Sequence, residues 1–297
     1  MFLQVLSIIF PVAVIVLVGY LYASRRSVDF EVANRINVDV FFPALIFSAL
    51  STQKYDLSDV KLLAGGAAAI VLGSGLLAYP IARIFKFDWR VFLPPMMFNN
   101  CGNLGLPIAV FAFGEHALTA AVILMITSNL LNYTLGVRMM ADHMGLLEVL
   151  RAPMVIASFA GLAAGLLQWR PAPLIAVPVE MLGQIAIPLV LFSLGARLKD
   201  VKITNWQVSV IGAVVCPLVG VVAALVYASV VDLGAEYFSQ LLVFAALPPA
   251  VMNYLIAERY RQQPDAVASM VMVGNLFALI SLPIVLVFAL NNLSTGI

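Results

Sequence analysis

Ten apolar stretches follow one another along this chain, at about 3–23, 34–51, 61–84, 91–114, 117–140, 152–168, 174–196, 206–231, 238–258 and 266–290. Each comes near the roughly 20 apolar residues that a helix needs to cross the bilayer core. The segments between them are short, which leaves no separate soluble domain. The fold class that follows is an all-α polytopic membrane protein with ten transmembrane helices. Composition agrees, because 63% of the residues are hydrophobic and 10% charged, whereas soluble domains are about one quarter charged. The opening MFLQVLSIIFPVAVIVLVGYLYASRR lacks a basic start and a small-residue cleavage site, so it reads as a retained span rather than a signal peptide.

Several function classes fall away at once. A net charge of +1 offers nucleic acid no global attraction. Cys101 and Cys216 lie in apolar stretches, which argues against a disulfide framework or a metal cluster. His116 and His143 fall in expected loops, and neither HExxH nor GxSxG occurs, so an enzyme is not expected.

Basic residues sort the loops. Those after the odd-numbered spans hold Arg25, Arg26, Arg35, Arg83, Lys86, Arg90, Arg138, Arg151, Arg197, Lys199, Lys202, Arg259 and Arg261. The opposite side holds only Lys54, Lys61 and Arg170. Lysine and arginine are retained in the cytoplasm, so both termini are expected on the outer side.

The two halves of the chain match at a shift of about 145 residues. PALIFS from Pro43 answers PLVLFS from Pro188, setting Phe47 and Ser48 against Phe192 and Ser193. One residue further, SNL from Ser128 meets GNL from Gly274 and pairs Asn129 with Asn275. That shift also sets Asn103 on Pro249 and Pro107 on Asn253. Five spans per half is an odd number, so the second half enters from the opposite side. The expectation is two inverted five-helix repeats, 1–140 and 152–297, joined by a short cytoplasmic linker at 141–151. In such folds, paired Gly/Pro-interrupted spans point to the binding site.

The interruption in span 4 is NNCGNLGLPI, residues 99–108. Pro94, Pro95, Gly102, Gly105 and Pro107 cannot hold an unbroken helical ladder. Each freed backbone group costs several kcal/mol in hydrocarbon unless something satisfies it. Asparagine amides suit both that repair and a polar solute. Pro107 fits the first turn of a restarting helix, and Asn253 suits the cap of its counterpart in span 9. Spans 4 and 9 are therefore expected to be broken and to cross, with two half-helix N-termini meeting. Each N-terminus carries roughly half a positive charge, a natural seat for a carboxylate. Asn100, Asn103, Gly105, Pro107, Pro249 and Asn253 are the expected substrate-binding residues. Asn99, Asn129, Asn275, Ser48 and Ser193 are candidates for either site or packing, since interhelical side-chain hydrogen bonds are ordinary in membranes. Asp39, an acid near or within span 2, is the candidate for proton coupling.

At ANRINVDVFFPALIF (33–47), NCGNLGLPI (100–108), LPPAVMNYLIAERY (247–260) and PDAVASMVMVGNLFALISLPIVLV (264–287) the chain resembles the auxin efflux carrier family. Its bacterial members are regarded as organic-acid permeases, and the resemblance covers nearly the whole length. Asn100 and Pro107 match the family's span-4 asparagine and proline. The plant carriers have a second proline where this chain has Asn253, and their long cytoplasmic loop is absent here. Those departures favour a compact prokaryotic carrier over an auxin transporter. The resemblance implies an elevator-type carrier, with spans 1, 2, 6 and 7 as a commonly dimeric scaffold. Spans 3–5 and 8–10 would form the moving transport domain. The related bile-acid symporter fold binds sodium through acidic side chains. Neither break here contains Asp or Glu, so sodium stays open, and no other cofactor or metal is implied.

The expected function is secondary transport of small organic anions such as dicarboxylates or malonate-like acids. A sodium-coupled symporter of the bile-acid type is the alternative within that class. An anion channel or a membrane enzyme is the alternative outside it.

Overall fold

Proline and glycine decide where this chain's helices stop, widen or start again. The computed structural model describes residues 2–26, 30–52, 56–140, 151–199 and 205–295. Within them every named element is helical. The linker expected over 141–151, with His143, lies outside the described residues except for Arg151.

Helix α1 spans Phe2–Arg25. Helix α2 runs from Glu31–Ile36 through a wide π turn at Asn37–Phe41 into Phe42–Thr52. Helix α3 is Leu57–Ile84 and α4 is Trp89–Met97. Helix α5 opens with a π turn at Cys101–Gly105 and continues as Leu106–Phe113. Helix α6 comprises Ala117–Leu131, a π turn at Asn132–Gly136, and Val137–Met140. The second half supplies α7 (Pro153–Leu166), α8 (Pro173–Arg197), α9 (Trp206–Val230), α10 (Gly234–Ala245), α11 (Val251–Arg259) and α12 (Pro264–Thr295).

Two of the π turns have a direct cause. Asn37–Phe41 stands two residues before Pro43, and Cys101–Gly105 two before Pro107. A proline ring has no N–H and crowds the carbonyl four residues back. One extra residue in the preceding turn relieves that crowding. No proline follows the third turn within α6.

Among the described residues seven helices are long and apolar enough to cross a membrane: α1, α2, α3, α6, α8, α9 and α12. The chain is thus an all-α polytopic membrane protein. The stretches at 91–114 and 238–258 arrive as the pairs α4 with α5 and α10 with α11. The stretch at 152–168 yields only the 14 residues of α7, about 21 Å at 1.5 Å per residue. That is short of the roughly 30 Å hydrocarbon core. Pro153 opens α7 in its first turn, and Gln168, at φ 54°, turns the chain away just past its end.

Packing gathers the helices into two groups. Helix α1 lies along α8, α7 lies along α2, and α2 touches α8. In the other group α3 packs on α4, α6 and α9, and α12 packs on α9 and α10. The α1–α8 contact is backbone against backbone. A Cβ on Gly19 would strike the Phe192 carbonyl oxygen, and one on Gly195 would strike that of Val16. Only glycine at both positions lets the two helices come so close.

Candidate functional site

Helix α4 ends at Met97, shortly after Pro94 and Pro95 remove two N–H donors from its ladder. Helix α10 ends at Ala245, and Leu247 is held out of helical conformation by Pro248 after it. Two short extended segments follow and run antiparallel, with Asn99 opposite Pro249. The Asn100 N–H donates to the Pro248 carbonyl at 2.7 Å, and the Ala250 N–H to the Phe98 carbonyl at 3.0 Å.

Asparagine side chains complete this crossing. Asn99 Nδ2 donates to the carbonyls of Phe244 (3.0 Å) and Ala245 (3.4 Å), at the open end of α10. Asn253 Nδ2 donates to the carbonyls of Phe98 (2.9 Å) and Ala250 (3.1 Å). Asn275 on α12 gives Nδ2 to Pro249 (3.1 Å) and Val271 (2.7 Å). Its Oδ1 must then face Asn100, whose Nδ2 donates to it at 3.0 Å. The Cys216 thiol on α9 sits under the crossing, 3.6 Å from the Pro95 and Leu247 carbonyls and 3.7 Å from Asn99 Oδ1.

Beside the crossing lies a cavity of about 170 Å³. One wall comes from the starts of α5 and α11 and from α6. Cys101, Gly102 and Asn103 line it from α5, and Ala250, just before α11, with Val251 and Met252 from α11 itself. The first N–H groups of a helix have no partner within it, so both helix starts bring donors and partial positive charge to this wall. Met125, Asn129 and Tyr133 add one face of α6 at four-residue spacing. The amides of Asn103 and Asn129 are half-buried and have no hydrogen-bond partner among the described residues.

The facing wall belongs to α2 and α8. Helix α2 presents Asn34, Asn37 and Val38, and α8 presents Val190, Ser193, Leu194 and Arg197. Both sets have the three- and four-residue spacing of a single helix face. Asn37 Nδ2 donates to the Ala186 carbonyl at 3.2 Å. Asn37 Oδ1 and Ser193 Oγ are buried with no protein partner, so this wall offers whatever fills the cavity an unmet acceptor and an unmet hydroxyl. Among the described residues Arg197 is the one formal charge in the lining, and no carboxylate joins it. No cluster of metal-ligating side chains occurs among the described residues.

The cavity therefore gathers Asn99, Asn100, Asn103, Asn129 and Ser193 from the expected residues. Pro249 and Asn253 stand in the crossing itself, and Asn275 braces it from α12. Pro107 is buried in the first turn of Leu106–Phe113. Gly105 lines a separate void of about 20 Å³ on the far side of α5. Ser48 is away from the cavity, and Asp39 is exposed on α2 outside its lining. The sequence reading missed Asn34, Asn37, Tyr133 and Arg197. By charge alone Arg197 groups with the loop cations, although the spacing Val190–Ser193–Leu194–Arg197 puts it on one face with a polar neighbour.

Comparison with known proteins bears on this geometry. The family profile described as "Membrane transport protein" matches residues 4–149 and 143–286. An "Uncharacterized transporter" of Methanothermobacter thermautotrophicus is 27% identical over 297 residues, covering 93% of this chain and 95% of its own. An "Uncharacterized transporter" of Methanocaldococcus jannaschii is 23% identical, over 93% of this chain and 96% of its own. A "Putative malonate transporter" of Rhizobium meliloti is 22% identical over 301 residues, covering 93% of this chain and 92% of its own. A helical, multi-pass chain with a polar crossing beside a cavity, matched along almost its entire length, belongs to the membrane transport protein family of auxin efflux carrier type.

Proposed function

We propose that this protein carries small organic anions, such as dicarboxylates or malonate-like acids, across a bacterial inner membrane by alternating access. The observation that carries this reading is the charge of the cavity: one arginine, no carboxylate, free asparagine amides and two helix starts. A carboxylate meets donors there and no repelling acid. At about 170 Å³ the space is smaller than drug-sized sites of about 300–1,000 Å³, which favours a solute of few heavy atoms. The printed name of the Rhizobium relative points the same way.

In this reading the chain crosses ten times as two inverted five-span repeats, with α4/α5 and α10/α11 as the fourth and ninth spans. Reciprocal packing supports it, since α1 lies on α8 as α7 lies on α2, and α3 lies on α6 as α9 lies on α12. Helices α1, α2, α7 and α8 form a scaffold that seats a homodimer. Helices α3–α6 and α9–α12 move against it as an elevator. The cavity runs along the seam between those groups, where sliding would expose a bound solute first to one side and then to the other. In this reading the basic loops and the end of α8 face the cytoplasm and both termini the periplasm, an orientation that the excess of lysine and arginine supports.

A sodium-coupled version has one observation in its favour: Asn37 Oδ1 and Asn253 Oδ1 are buried oxygens without partners, and hard cations accept amide oxygens as ligands. One experiment addresses both versions. The purified protein is melted with malonate, succinate, acetate or no acid, in sodium or in choline, and the same acids are offered to proteoliposomes. At a concentration of 100 Kd a ligand adds about 2.7 kcal/mol to stability. Stabilisation and saturable uptake are expected, and a requirement for sodium selects the symporter. If no organic acid stabilises the protein or enters the vesicles, the reading fails; uptake without saturation indicates a channel.

A further inference from the structure

The α2/α8 wall carries more chemistry than a passive sliding surface needs. Ser193 and Arg197 stand one turn apart on the cavity face of α8, and Ser193 Oγ is buried to 2% exposure without a protein partner. Arg197 has no carboxylate partner among the described residues, and its side chain is exposed where α8 ends. Its neighbour Lys199 is occupied, because its Nζ donates to the Ala23 carbonyl at 3.0 Å at the end of α1. Across the cavity, Asn103, Asn129 and the two helix starts form a separate set of donors. The cavity thus has donors on both helix groups, and apolar Val190, Met125 and Leu194 complete its lining.

We propose that Arg197, with Ser193 beside it, is the group that selects solutes bearing two carboxylates over solutes bearing one. This rests on the organic-anion reading above and deepens it. One carboxylate sits at Asn103 and Asn129 before the starts of α5 and α11. The other is received by Arg197, whose planar fork matches a carboxylate with two parallel N–H donors. The Ser193 hydroxyl donates to the same group. A monocarboxylate fills only the first place and leaves Arg197 to water. Because the two places lie on different helix groups, a dicarboxylate also bridges the seam.

The test measures selectivity as well as affinity. Dissociation constants for malonate and succinate, and for acetate and propionate, are measured by thermal shift on native protein, Arg197→Gln, Arg197→Lys and Ser193→Ala. Arg138→Gln is the control, because it removes a cation at the end of α6 outside the cavity lining. Arg197→Gln is expected to weaken dicarboxylates at least tenfold and monocarboxylates less than twofold. Arg197→Lys should recover part of the loss, and Ser193→Ala should lose about threefold for dicarboxylates alone. Arg138→Gln should change neither class. An equal fall for both classes, or no fall, overturns the role of Arg197. If no acid stabilises even the native protein, the organic-anion reading itself fails, and the inference with it.

Discussion

The two breaks occupy matching places in the two halves and are built from opposite materials. The first, Phe98–Asn99–Asn100, brings side-chain amides, whereas the second, Leu247–Pro248–Pro249–Ala250, brings two residues with no N–H at all. Prolines leave only carbonyls to satisfy. The first break therefore supplies most donors and the second most acceptors, as in Asn100 N–H to Pro248 and Asn99 Nδ2 to Phe244 and Ala245. Two identical breaks could not interlock this way: two proline pairs would leave orphaned carbonyls, and two asparagine pairs would leave spare donors at bilayer depth. The stability of the crossing should thus be asymmetric between its halves.

That asymmetry can be broken most severely at Asn100. Its amide must donate to Asn275 Oδ1, so Asn100→Asp sets an acceptor against an acceptor at a site 3% exposed. Leaving a buried charge without a partner costs about 3–5 kcal/mol. Burial raises the introduced carboxyl's pKa in the folded state above the unfolded value of about 3.9. Stability should therefore be near normal at acid pH, where the protonated group donates to Asn275. It should fall as pH rises above about 4 towards the raised pKa. Melting curves across pH check this, and a flat profile would contradict the hydrogen-bond direction assigned here. The substitution is consequently a poor probe of anion binding.

Asn99→Leu comes next. The Ala245 carbonyl loses its only donor outside α10, while Phe244 keeps the Leu247 N–H at 3.3 Å. One buried orphan carbonyl costs about 1–3 kcal/mol. Asn253→Leu should cost less, about 1 kcal/mol. Both its acceptors keep a backbone donor, Ala250 N–H on Phe98 and Asn253 N–H on Ala250. Chemical denaturation of the two variants in one detergent checks the order. A larger loss for Asn253→Leu would reverse the donor–acceptor division between the breaks.

The smallest stability effects are expected for Asn103→Ala and Asn129→Ala. Neither amide bonds to the described protein, so folding should change by less than about 0.5 kcal/mol. Binding of a carboxylate should nonetheless weaken about tenfold. Paired melting and binding measurements separate these residues from Asn99, Asn100 and Asn253, whose amides hold the crossing.

The break itself was readable from proline and glycine, because those residues act on the backbone around them. Which asparagine serves the protein and which serves a solute was not readable. Asn99 is held by carbonyls 145 and 146 residues away, while Asn103, four positions on, has none. Nothing in NNCGNLGLPI distinguishes them until the second break is laid against the first. Arg197 escaped notice for a related reason. It closes α8 and looks like a loop cation, and only the register of the whole helix turns it towards the cavity. The shortness of α7 was hidden too, because apolar composition runs on past the residue where the helix stops.

The distance along the chain between the two breaks has a consequence for biosynthesis. Asn253 reaches Phe98 across 155 residues, and Asn99 reaches Phe244 across 145. Ribosomes add about 5–20 residues per second, so the first break is made roughly 7–30 s before its partners exist. Through that interval the nascent protein holds an open Phe98 carbonyl and an unengaged Asn99 amide. The α4–α5 stretch must therefore wait in a hydrated or shielded setting, and about the last fifth of translation both completes the protein and allows that stretch to settle. A truncation before Asn253 is expected to leave the α4–α5 break accessible to impermeant labels, and one just beyond Asn275 to bury it.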